Sequence, residues 1–80
     1  MGKEQINTFL NELAESIELQ EGSLTVDTKI SDIDWDSLAV ISCIALADEQ
    51  FNIMLSGDEL SKIETIGDIF KLISKKKTFN

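Results

Sequence analysis

Eighty residues, 42% of them hydrophobic and 28% charged, suffice for one small domain with a real core and are too apolar for a chain disordered by composition. Fifteen acids against seven lysines leave a net charge of −8, a surface that repels nucleic acid and anionic membranes and favours basic partners. The absence of histidine removes the usual general base, and a lone cysteine, Cys43, removes an internal disulfide and any multi-thiolate zinc site.

The absence of proline, with only four glycines and long apolar periodicities, predicts an all-α chain. The first helix is expected over about residues 3–18. Ile6, Phe9, Leu10, Leu13 and Ile17 fall at steps of three and four, which lines one face of a helix, and Asn7, Asn11, Glu12, Glu15 and Glu18 lie off it. Gly22 and a run of Ser, Thr and Asp then read as a long loop, anchored by Leu24, Val26, Ile30 and Ile33. The second helix is expected over 37–51. It carries more apolar residues than one core-facing stripe requires, so some of Val40, Ile41 and Ile44 should face a partner or a pocket.

Ser56 precedes Glu59 by three residues, the spacing of a capping box, and a short helix over 57–63 should follow. Thr65 and Asp68 repeat the spacing before a last helix over 66–76, with Ile66, Ile69, Phe70 and Ile73 as its apolar stripe. Lys71 and Lys75 to Lys77 lie towards its C-terminal end, where positive charge complements the helix dipole. The expected fold is a small bundle of three main helices and one short one, a single domain over 1–80, with Phe9, Leu13, Phe51, Ile63 and Ile69 as shared core.

Asp32, Asp34 and Asp36 alternate just before the second helix. They begin like a calcium loop, but Ser37 stands where the EF-hand glycine belongs and Cys43 where its closing glutamate belongs. No metal site is expected. Asp34 or Asp36 can instead cap the helix that Ser37 opens.

Asp36–Ser37–Leu38 resembles the modification motif of acyl carrier proteins. Further along the chain, "ADEQF" resembles that family's ending of helix two, and "DEL" with "ETIGDI" keeps its later spacing. The resemblance covers nearly the whole chain. It implies that Ser37 bears a covalent 4'-phosphopantetheine arm, flanked by Asp36 and Leu38, which carries acyl groups as thioesters in fatty acid or lipid biosynthesis. It further implies a cytoplasmic, monomeric phosphoprotein that is not itself an enzyme. The implied partners are a phosphopantetheinyl transferase and acyl ligase, acyltransferase or synthase enzymes, met through Trp35, Leu38, Ile41, Asp48 and Glu49.

Fatty-acid carriers usually hold acids early on helix two, where this chain has Ala39 and Ser42. That departure points to a specialised discrete carrier. Trp35, where a small residue is usual, either packs the loop onto the bundle or helps a partner recognise the site. The other function class open to these residues is an acidic helical protein-interaction module without a prosthetic group. No membrane insertion is expected: the longest uncharged run, Ser37 to Ala47, is too short to span a bilayer. The opening MGKEQI lacks the Ser or Thr of a myristoylation signal.

Overall fold

A computed structural model describes residues 2–20 and 22–78. Four α-helices form in chain order, α1 (Lys3–Ser16), α2 (Ser37–Phe51), α3 (Gly57–Leu60) and α4 (Gly67–Thr78), with one 3₁₀ turn at Ile30–Asp32. The described residues contain no strand beyond a single antiparallel bridge between Lys29 and Thr65, so the all-α expectation holds.

The apolar stripe of α1 turns inward as its periodicity predicts, with Phe9, Leu10 and Leu13 buried and Ile6 and Ile17 at the margin. The helix stops at Ser16, two residues before the expected end. Glu18 takes a left-handed conformation (φ 63°), and the N–H groups of Glu18 and Leu19 turn back to the carbonyls of Glu15 and Ala14 at 3.2 and 2.8 Å. These bonds satisfy the last carbonyls of the helix in the pattern usually built around glycine. A glutamate there gives no sequence warning.

α2 presents Ala39, Cys43, Ala47 and Phe51 to the core at steps of four, three small residues that let α1 approach closely and a ring that closes the end. Asn52 ends it in the left-handed region (φ 56°), which asparagine tolerates better than most residues. The next segment alternates, with Ile53 and Leu55 buried and Asn52, Met54 and Ser56 exposed, the period of an extended chain. It runs back along α2, because Gly57 lies beside Val40, where a methyl built on it would be 4.0 Å from Cγ1. Returning from Phe51 to Val40 spans about 16 Å of helix, which six extended residues cover.

At α3 the Ser56–Glu59 capping box forms as its spacing predicts: the Glu59 N–H donates to Ser56 Oγ at 3.1 Å and the Ser56 N–H to Glu59 Oε1 at 3.0 Å. The helix ends at Leu60 rather than at 63. Residues 64–67 are held elsewhere, by Ile30 N–H to Glu64 O, Ile66 N–H to Thr28 O and Gly67 N–H to Val26 O, each at 2.9 Å. A segment pinned to the first loop in this way cannot also continue a helix. Ile63 is correspondingly only half-buried, a rim residue and not the core residue expected, while Leu60 is fully buried in its place.

Val26 also differs from expectation. Its side chain is exposed, and it anchors the loop through its carbonyl; Leu24 is the buried anchor, with Ile30 and Ile33 packed at the margin. The approach requires glycine at 67, since a Cβ there would stand 2.9 Å from the Val26 oxygen.

The stripe of α4 is buried as predicted, and its lysines do more than face a dipole. Lys76 pairs with Glu59 of α3 at 3.1 Å, and the Lys77 ammonium lies 5.6 Å from the Phe51 ring centroid.

The second capping box forms by half. Asp68 Oδ2 accepts from the Glu64 and Thr65 N–H groups at 2.9 and 3.2 Å, but the Asp68 N–H donates to the Thr65 carbonyl rather than to its hydroxyl. The two backbone N–H groups, with a smaller contribution from Lys71, hold the Asp68 carboxyl below its ordinary value of 3.8. A carboxyl depressed on folding adds stability that is present above the unfolded value and lost as pH falls through the folded one. Asp68→Asn keeps an oxygen that can accept both N–H bonds and loses the charge, so it is expected to cost about 0.5 kcal/mol at neutral pH. As pH falls through the lowered folded value of Asp68, where its carboxyl becomes neutral like the amide, the variant's melting temperature should converge on that of the unaltered chain. Thermal melts of both proteins from pH 7 to 2 check this; a constant gap across the range would refute it.

Candidate functional site

Asp36 is the N-cap of α2, with its Oδ1 accepting from the Ala39 N–H at 3.0 Å and its carbonyl from the Val40 N–H at 3.1 Å. Asp36 thereby does the capping, which frees its neighbour. Ser37 is the first helical residue and is exposed, and among the described residues no hydrogen bond engages its hydroxyl. The N–H groups of Ser37 and Leu38 likewise have no acceptor among them, as the opening turn of a helix leaves donors free. An exposed, unengaged hydroxyl at the positive end of a helix fits an ester to an anionic phosphate group. α2 carries no lysine that would compete for that charge.

Four other serine hydroxyls are occupied. Ser16 donates to the Glu12 carbonyl, Ser23 to Gln20, Ser61 to Asp58, and Ser56 belongs to its capping box. Cys43 is buried in the bundle, where desolvation pushes its thiol up to about 12, so it is no nucleophile in the folded chain.

Below Ser37, one face of α2 remains open. Leu38 is 60% exposed and Ile41 62%, with Ala45, Asp48 and Glu49 exposed further along at helical spacing. Leu38, Ile41, Asp48 and Glu49 thus share a surface that is apolar near the serine and acidic at the far end. Val40 and Ile44 turn partly inward and pack against the core. Ala39 is fully buried, so the face lacks that position altogether and only Ser42, half-exposed, stands near it.

Trp35 is half-buried against the core, and its indole Nε1–H donates to the Leu60 carbonyl at 3.3 Å. The packing alternative for this residue is the one its surroundings favour. Met54, at 71% the most exposed large apolar side chain among the described residues, is not singled out by the sequence. The alternation across Ile53, Met54 and Leu55 was the available signal.

No helix among the described residues is long and apolar enough to cross a membrane, and they contain no cluster of three or more potential metal ligands.

Residues 7–73 match the family model described as a phosphopantetheine attachment site. Among curated proteins the chain is similar to the acyl carrier protein of Borrelia garinii subsp. bavariensis, 29% identical over 66 residues, which is 81% of this chain and 82% of that one. It is equally similar, with the same coverage, to the acyl carrier proteins of Borreliella burgdorferi strains ZS7 and ATCC 35210. No solved structure matches it.

Proposed function

This chain belongs to the phosphopantetheine attachment-site family as an acyl carrier protein, a carrier and not an enzyme, and from that premise we propose that Ser37 is the residue that bears the arm. The observation that carries the assignment is the division of labour at the start of α2: Asp36 caps the helix, and the Ser37 hydroxyl is left exposed and unengaged. The arm supplies a thiol that holds acyl groups as thioesters. The chain's own contribution is to present the serine to a phosphopantetheinyl transferase, keep the site at the mouth of a helix dipole, and offer a surface to the enzymes that load and unload it.

Acyl carrier proteins work with synthase and transferase enzymes. For this one the contact surface is Leu38 and Ile41 near the serine with Asp48 and Glu49 beyond, while Trp35, bonded to Leu60, takes the packing role. A partner with an apolar centre and a basic rim fits this order of residues. The unit is a single carrier domain over residues 1–80, acting as a monomer in the cytoplasm. The apolar start of the face supports a specialised discrete carrier, served by a dedicated ligase or acyltransferase, over the general fatty-acid carrier.

The direct test is intact mass after incubation with coenzyme A and a broad-specificity phosphopantetheinyl transferase. One added arm per chain is expected, and peptide mapping should locate it on Ser37. A chain that gains no mass, or gains it elsewhere, defeats the assignment.

Partner choice has its own test. Since Ala39 is fully buried, a glutamate there would bury a charge, so the informative substitution is Ser42→Glu alone. It should leave modification intact and raise the loading rate by a basic fatty-acid synthase enzyme several-fold at low salt. That gain should vanish near 1 M salt, where charge is screened within about 3 Å. An unchanged rate at both salt concentrations would show that this face does not meet the partner.

A further inference from the structure

We infer that Trp35 is a positioning residue whose indole, closed on the Leu60 carbonyl at 3.3 Å, holds the end of α3 and the turn that presents Ser37 as one unit. The inference rests on the reading of Ser37 as the attachment serine and adds what keeps that serine in place.

α3 has four residues, too few to hold a helix by its own hydrogen bonds, so its position is set by what it is tied to. Its first residue lies beside Val40, one turn into α2, and Glu59 is paired with Lys76 of α4 at 3.1 Å. Its last carbonyl, on Leu60, is one of the acceptors that a helix end leaves open, and the Trp35 N–H takes it. α3 therefore reaches from the first turn of α2 to the loop that enters α2.

On the other side of this joint, residues 33–36 have no helix or strand of their own. The Trp35 backbone N–H donates to Ile33 O at 3.0 Å, a local bond that fixes a bend without placing it in the molecule. The placement comes from the ring, whose apolar body packs on the core while its polar edge bonds to α3. Among the described residues, Trp35 is the only one of residues 31–36 whose side chain hydrogen-bonds to another helix; Asp36 uses its own on α2. Ser37 follows two residues later.

Release of the indole lets the entry turn sample orientations in which the serine is not presented. A transferase then meets a smaller competent fraction of carrier, so its apparent affinity falls by that fraction while turnover of the bound complex does not change. Loss of one neutral hydrogen bond raises the ratio of released to held turn about fivefold, which is the upper limit of the change in apparent affinity.

The test uses the full chain with Trp35→Phe, which keeps an apolar aromatic ring while removing the N–H and the smaller part of the ring system. With a phosphopantetheinyl transferase and coenzyme A, KM for the carrier should rise, by at most about fivefold, with kcat unchanged. Amide exchange should quicken at Ala39 and Val40 and at Ser61, whose N–H bonds to Gly57 O at 2.9 Å, and should not change in the middle of α1 and α4. Trp35→Ala should show the same pattern more strongly. Wild-type exchange at those amides in Trp35→Phe overturns the inference. So does a uniform increase through all helices, which would make Trp35 a contributor to stability alone. A wild-type chain that gains no mass defeats the attachment reading, and the exchange comparison still decides whether the joint exists.

Discussion

Replacing Ser37 by alanine is expected to abolish phosphopantetheine attachment, and every acyl transfer that depends on it, while leaving the helix in place. The Ala39 N–H is capped by Asp36 and not by Ser37, and the serine hydroxyl is exposed, so its removal leaves no buried donor or acceptor unpaired. Alanine is also a good helix former at an opening position, and the melting temperature should stay within a few degrees of the original. No other serine stands exposed and unengaged at the opening of a helix: Ser31 lies in the 3₁₀ turn, and Ser42 and Ser74 lie inside α2 and α4. Ser16, Ser23, Ser56 and Ser61 are engaged with the backbone, and the Cys43 thiol is buried with its pKa pushed up to about 12.

The buried thiol sharpens the readout. A modified chain should show one rapidly reacting thiol, that of the arm, while Cys43 reacts only on unfolding. Ser37→Ala should show none in the folded state. Mass gain in Ser37→Ala would sink the assignment of the site, even if the chain remained a carrier.

The largest effect on stability is expected from Phe9→Ala. Phe9 is fully buried, meets the Phe70 ring edge-on at 5.2 Å between centroids, and meets the Phe51 ring at 5.9 Å. One side chain of α1 thus joins α2 and α4. Truncating a buried aromatic costs about 3–5 kcal/mol, and the loss of two ring–ring contacts favours the upper end. A domain of this size has roughly 4–12 kcal/mol in total. The melting temperature should fall by roughly 15–30 °C, or the variant should be partly unfolded at room temperature. Phe9→Leu, which keeps most of the volume, should lose far less. Circular dichroism melts of the three proteins decide the matter; an unchanged midpoint in Phe9→Ala would mean that the three-ring cluster is not the core.

What the sequence determined by itself is whatever depends on neighbours within a few positions. The stripe Phe9, Leu10 and Leu13 is legible because helical period alone places those residues on one face, and any partner that buries the face will do. The Ser56–Glu59 box is legible because both of its hydrogen bonds close within four residues. The Asp36–Ser37–Leu38 triplet is legible for the same reason, since cap, hydroxyl and exposed leucine are consecutive.

What only the tertiary structure decided depends on segments far apart in the chain. α3 ends at Leu60 because residues 64–67 are drawn to Val26, Thr28 and Ile30 by backbone bonds, and backbone groups carry no mark in the sequence. Ile63 and Val26 lose their expected burial through the same pinning. α2 is apolar nearly all round, so its own periodicity does not choose which face turns inward. The approach of α1 selects the small residues Ala39, Cys43 and Ala47, and leaves Leu38 and Ile41 outside beside the serine. The tie from Trp35 to Leu60 spans 25 positions, and its acceptor is a carbonyl that every residue possesses. Only the placement of α3 across the entry to α2 singles that carbonyl out.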